Sequence, residues 1–246
     1  MPQSVDLAQN RILVIRQNGL RYSLTASPIP ETVWLESFFD AITAFVTCGS
    51  DSRESHTDAR SAGVALLEKV AIEAQGYPHL ADAPDWQSKV PLAHRVTFSE
   101  MLVEAYELDD DEPILRPTNG TRAVRLQALW GAVGAGSMCR HRDLVHHFKA
   151  PSVQQKGRYH AARAGVRRAV SGARRGSPVI LSPVEPLQAR TLVALYDELV
   201  LRVEGYAFNG EPLPEDRVQI KAHMDAFHKV QAARPLFSRR SERRAT

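Results

Sequence analysis

Cysteine is scarce: the 246-residue chain carries two, Cys48 and Cys139. Two thiols cannot build the disulfide framework of a small secreted domain, and a reducing compartment is the simplest reading. Long apolar runs are also missing. The most apolar-leaning stretch, Val33 to Val46, is interrupted by Glu36, Ser37 and Asp40. Nothing approaches the roughly 20 consecutive apolar residues of a membrane span. The opening Met1-Pro2-Gln3-Ser4-Val5-Asp6 has neither the basic nor the apolar part of a secretory signal. The chain reads as soluble and cytoplasmic, with no membrane contact. No His-Glu-x-x-His, no Gly-x-Ser-x-Gly and no local Cys-His pairing is present. The expectation is therefore no catalytic residue, no cofactor and no metal, although a catalytic set assembled from distant residues leaves no sequence signature.

What is present is ordinary globular composition, 43% hydrophobic and 24% charged, with a formal charge of +3. The charge is uneven. Asp109-Asp110-Asp111-Glu112 is acidic, while Lys156 to Arg175 and Arg239 to Arg244 are basic.

Ile12-Leu13-Val14-Ile15 and Leu20 to Thr25 flank Asn18-Gly19, the strongest hairpin signal, because a type I′ turn needs positive φ at both central residues. Pro28 and Pro30 end the second strand and open a helix, with Trp34, Phe38, Ile42 and Phe45 on one face. Residues 47–60 read as a polar loop. A second helix is expected from Ser61 to Gln75 with Gly76 as its C-cap, and a third from Lys89 to Glu107.

After an acidic, proline-containing break the order returns. Val124 to Leu129 and Leu144 to Phe148 alternate as strands, and Pro151 precedes a helix. Val64-Ala65-Leu66, Val70, Ile72, Gly76 and Tyr77 match Val193-Ala194-Leu195, Leu199, Leu201, Gly205 and Tyr206 at one constant offset, with Glu68 opposite Asp197. His94-Arg95-Val96 and His228-Lys229-Val230 close the two series. The expected fold is α+β and helix-rich, an internal duplication of a β-hairpin followed by about three helices. The predicted divisions are a first unit at 1–108, a linker at 109–121, a second unit at 122–237 and a disordered basic tail at 238–246.

Three clusters have a chemical reading beside a plainer one. Gly131 to Gly136 follows a strand, but leads to Ser137 and Met138 rather than a Walker lysine or a helix start, so a hairpin loop is preferred to a phosphate loop. Cys139, His141, His146 and His147 resemble a zinc set, but adjacent histidines on a strand point to opposite faces, and surface histidines are the default. Asp109 to Glu112 lacks the turn glycine of a calcium loop and reads as a solvated linker. The basic helix is the strongest candidate. Arg158, Arg163, Arg167, Arg168, Arg174 and Arg175 could neutralise nucleic-acid phosphates, or meet an acidic protein partner.

Leu195-Tyr196-Asp197-Glu198-Leu199-Val200-Leu201-Arg202-Val203-Glu204-Gly205-Tyr206, the loop through Pro214 and His228-Lys229-Val230-Gln231-Ala232 resemble small tail proteins of tailed bacteriophages. Tail assembly chaperones and related tail or neck components are the most similar. The resemblance implies a non-catalytic viral assembly or structural protein that acts through protein–protein contacts. Its partners would be other tail proteins, with the tape-measure protein among the candidates, and its place the host cytoplasm or the virion. Phe227, Leu236 and Phe237 would then be exposed contact points, and self-association is open. Two alternatives remain: a nucleic-acid-binding protein using residues 156–175, and an enzyme with its site between the units.

Overall fold

The computed structural model describes residues 4–38, 53–78, 80, 84–106, 108–109, 116–118, 120–130, 133–134, 140–172 and 184–237. The chain begins with a short strand, β1 (Val5–Asp6), and then the expected hairpin, β2 (Arg11–Gln17) and β3 (Leu20–Ala26). Asn18 and Gly19 both have positive φ, +52° and +77°, as the tight turn requires. Alternation sends Leu13 and Leu24, which are register partners, into the core. Pro30 then starts α1 (Glu31–Val33), which continues as a π-helical turn over Trp34–Phe38. Ile42 and Phe45 lie outside the described residues.

The next helix, α2 (Arg53–Val70), starts earlier and stops sooner than the sequence predicts. Part of the expected loop at 47–60 is therefore helical. Residues Ala71–Gln75 are not helix but a strand, β4, antiparallel to β3. Gly76 is thus no helix C-cap: it sits at φ +92° where a strand turns away. The free edge of β3 offered an unpaired row of backbone groups, and pairing with it outweighed the helical preference of Ala71 to Ala74. A short α3 (Trp86–Lys89) and then α4 (Leu92–Glu104) complete this part.

The remaining elements repeat the order. Strands β5 (Leu108–Asp109) and β6 (Arg116–Thr118) both pair with β7 (Thr121–Trp130), so the expected linker at 109–121 contributes to a sheet rather than standing free. After β8 (Val133–Gly134), β9 (Arg140–Lys149) pairs antiparallel with β7 as the second hairpin. Two long helices follow, α5 (Val153–Gly172) and α6 (Val184–Leu199), and α6 runs directly into β10 (Val200–Glu204), which lies antiparallel to β9. Strands β11 (Tyr206–Phe208) and β12 (Glu211–Pro212) flank a second Asn-Gly turn at Asn209 and Gly210. The chain then forms α7 (Arg217–His223), α8 (Ala226–Ala233) and a 3₁₀ turn over Arg234–Phe237. The protein is mixed α+β. Both parts contain a hairpin, a helix, a helix running into a third antiparallel strand, a short helix and a closing helix, and the second inserts β11 and β12 after its third strand.

The parts are interleaved. Strand β1 pairs in parallel with β11, and β8 pairs in parallel with β2. One apolar core contains Leu13, Leu24, Trp34 and Phe98 from the first part with Phe148, Tyr196 and Phe227 from the second.

The expectation that Phe227, Leu236 and Phe237 are exposed is overturned: all three are buried. Helix α8 is enclosed on nearly every side, with Phe227 against Trp34 and Phe237 stacked on Tyr159 of α5. An amphipathic reading of its sequence assigns a wet face to His228 and Lys229, and both are buried too.

Candidate functional site

The Gly-Tyr pair that ends the third strand in each part is a packing device. At Gly205 (φ +87°) a Cβ would lie 2.6 Å from the Asp143 carbonyl oxygen, and at Gly76 it would collide with the Arg21 carbonyl. Only glycine lets the turning strand come so close to its neighbour. Each following tyrosine then reaches the closing helix. The Tyr77 hydroxyl lies 2.8 Å from His94 Nδ1 in α4, and the Tyr206 hydroxyl 3.3 Å from His228 Nδ1 in α8. One residue further along each helix, Arg95 pairs with Glu68 of α2 at 2.6 Å, and Lys229 with Asp197 of α6 at 3.1 Å. In these contacts the residues paired by the sequence comparison have partners of the same kind.

The two versions differ in depth. The first is half-exposed, with His94 Nε2 donating to Gln17 Oε1 at 2.7 Å while Tyr22 packs on both Tyr77 and His94. The second is sealed. His146, at 0% exposure, sits between the Tyr196 hydroxyl (3.0 Å from Nδ1) and the Tyr206 hydroxyl (2.8 Å from Nε2). The contact from Tyr206 to His228 extends this into a four-residue polar chain through the core. A neutral imidazole donates from one nitrogen and accepts at the other, so neutral histidines satisfy the chain. Burial, reinforced by His228 and His147, holds His146 well below its ordinary pKa. Burial and then Arg11 push His228 down to about 3, and burial carries both tyrosines well above their usual range.

The first part grips this region from outside. Trp34 donates its indole N–H to Asp225 Oδ2 at 2.7 Å, while Oδ1 caps α8 by accepting from the Phe227 amide at 2.7 Å. Burial raises the Asp225 carboxyl to about 6. Lys229, 1% exposed, donates to Glu31 Oε2 at 2.7 Å and to the Lys221 carbonyl at 2.9 Å beside Asp197. Burial raises the Asp197 carboxyl against the opposing pull of Lys229. The buried ammonium donates to a carboxylate and a carbonyl and is ion-paired with a second carboxylate, and such pairing is the condition for keeping a charge inside.

The basic helix is partly spent. Arg158 pairs with Glu198 at 2.6 Å, and Gln155 donates to the same carboxylate, so the two hold Glu198 below its usual range. Arg163 is exposed on α5. Arg167 and Arg168 lie on α5 with side chains outside the described residues, as are Arg174 and Arg175 altogether. Of the supposed metal ligands, His146 and His147 do point to opposite faces, His147 to Glu204 at 2.8 Å, but His146 is a core residue and not a surface one. Cys139 and the side chain of His141 are outside the described residues, as are residues 110–112. Among the described residues no group of three acidic, histidine or cysteine side chains could hold a metal ion, and no helix is long and apolar enough to cross a membrane. Sequence reading missed Trp34–Asp225 and Lys229–Glu31, which join residues 191 and 198 positions apart. No protein-family model, curated protein or solved structure matches the chain.

Proposed function

We propose that the protein is a non-catalytic assembly or structural component of a bacteriophage tail, built of two similar units and acting through protein–protein contacts. One observation carries the mode of action. The groups best suited to chemistry are enclosed: the Tyr196–His146–Tyr206–His228 chain is hydrogen-bonded within the core, and buried Lys229 donates to Glu31 and is ion-paired with Asp197. Their polar atoms are engaged inside the second part and, for Lys229, at its junction with the first, which leaves the outer surfaces to do the work. The phage setting rests on the resemblance carried by Leu195 to Tyr206, in which Tyr196, Leu199 and Tyr206 are core residues and Gly205 is the close-approach glycine. On this reading the protein acts in the host cytoplasm or the virion, with other tail proteins as partners.

Affinity purification of the full chain from infected or lysogenic cells, followed by mass spectrometry, tests the reading. Tail proteins, the tape-measure protein among them, should co-purify at near-stoichiometric yield and survive nuclease treatment. Recovery of nucleic acid alone would instead favour the basic face of α5, and would overturn the proposal. So would a small-molecule cofactor retained in stoichiometric amount.

A further inference from the structure

We propose that one face of α5 binds the phosphate backbone of nucleic acid, through a row of cations formed by Lys156, Arg163 and Arg167 with His160 between them. This contact goes beyond the tail-protein reading and does not depend on it. The chain as a whole is nearly balanced in charge, with 31 lysines and arginines against 28 acids. The balance fails in one place. No Asp or Glu occurs between Asp143 and Glu185, while eight lysines and arginines do. The centre of that segment is the helix α5 (Val153–Gly172), so helical geometry fixes where its cations stand.

Positions 156, 160, 163 and 167 are separated by four, three and four residues. At 3.6 residues per turn they fall within an arc of about 60°, in a line about 16 Å long. His160 and Arg163 are exposed and Lys156 is half-buried. Tyr159 and Ala162 hold the helix from its buried face, Tyr159 against Phe237. Arg158 belongs to the opposite flank, where it and Gln155 engage Glu198 of α6. Glu198 is thus occupied on the other side of the helix from the row. Arg163 has no ion-pair partner among the described residues.

The chemistry of the row selects its partner. A protein interface draws its binding energy from large side chains in a desolvated centre, and a helix lying on a membrane needs bulky apolar anchors. The row offers no such side chain beyond Val153 at its first turn. Beside it stand exposed Gly157 and Ala161, with open space around Gly157. Cations about 5–6 Å apart in a line, with small residues alongside, suit a rod of negative charge. Duplex DNA is such a rod, with one charge per about 1.7 Å of its axis. Contacts to phosphate carry no base information, so binding should be independent of sequence.

Fluorescence anisotropy of a labelled duplex of about 20 base pairs, titrated with the full chain, gives the test. Binding should be detectable in about 50 mM salt. Its logarithm should fall with log salt at a slope of about −3, or about fortyfold between about 50 and 200 mM. Arg163→Gln with Arg167→Gln should weaken binding about tenfold or more and bring the slope to about −1, because two phosphate contacts are lost. Arg163→Lys with Arg167→Lys should keep most of the affinity, and Arg158→Gln should cost far less than the glutamine pair. Circular dichroism melting checks folding, and the single glutamine variants replace the pair if it is unfolded. No binding up to about 100 μM protein at the lower salt would overturn the proposal. So would binding untouched by the glutamine pair, which would place the contact elsewhere in the chain. An equal loss from Arg158→Gln would overturn it too, since net charge rather than the row would then be responsible. Equal or tighter binding to polyglutamate, or to equimolar phosphatidylserine–phosphatidylcholine vesicles, would overturn the choice of nucleic acid and the proposal with it.

Discussion

Acidification should loosen this fold through its buried histidines, and the size of the effect can be worked out. In the folded chain His146 and His228 are neutral, with pKa values driven well below 6.5 and down to about 3. The stability contributed by keeping them neutral is complete above the unfolded value of 6.5 and is lost as pH falls toward the folded values. Between about pH 7 and pH 5 His228 removes on the order of 2 kcal/mol, because only the unfolded chain takes up its proton, and His146 acts in the same direction. Asp225 works in the opposite direction. Its carboxyl is raised from 3.8 to about 6, so its contribution is present at low pH and lost as pH rises through 6. Over the same interval it returns on the order of 1 kcal/mol, so the two histidines outweigh it and these groups together destabilise the fold in acid. Urea unfolding followed by circular dichroism at the two pH values measures this directly. His146→Gln, which keeps a polar side chain without the titration, should have the lower stability at neutral pH and should lose less of it between the two pH values than the wild-type chain does. A variant that loses stability equally at both pH values would refute the reasoning, since it would mean that His146 is as readily protonated in the fold as outside it.

Lys229→Met should cost about 2–4 kcal/mol in the same unfolding assay, as Asp197 loses its buried cation, and should cost clearly less when Asp197→Leu is added. Gly205→Ala should destabilise by about 1–3 kcal/mol, more than Gly120→Ala, which has a similar positive φ of +80° but nothing within 4 Å of the added carbon. The difference in melting temperature between those two isolates the steric approach to Asp143. Phe237→Ala should cost about 3–5 kcal/mol, because it opens a cavity beneath Tyr159, whereas loss of an exposed contact residue would leave thermal stability nearly unchanged.

Local chemistry was legible in the sequence where a few adjacent residues decide the outcome. Asn18-Gly19 dictates its turn, and the alternation of Val124 to Leu129 dictates its strand. The correspondence of Glu68, Tyr77, His94 and Arg95 with Asp197, Tyr206, His228 and Lys229 was visible as well, but not its meaning. Those residues prove to be the hydrogen-bonded and ionic struts of each part. Strands β4 and β10 were hidden because each continues a helix without any breaker at Val70 or Leu199, and only the neighbouring edge strand decides the change of backbone. The junction was hidden for a different reason. Trp34 and Asp225 carry no sign of each other in sequence, and a helix containing His228 and Lys229 announces exposure until Tyr206 and Glu31 are known to meet them. Burial of polar residues is a tertiary property, set by partners far along the chain.

The parallel pairing of β1 with β11 also orders events in time. Val5 donates its amide to the Gly205 carbonyl, Leu7 donates to Ala207, and the Asp6 carboxylate receives the amides of Asn209 and Gly210. During synthesis Val5 and Asp6 must wait until Gly205 to Gly210 have left the ribosome before their partners exist. Contacts of such long sequence separation slow folding and leave early segments unpaired. A nascent chain stopped short of Gly205 would therefore hold Val5 and Asp6 as a loose end, open to chaperones and proteases until residues 205–210 emerge.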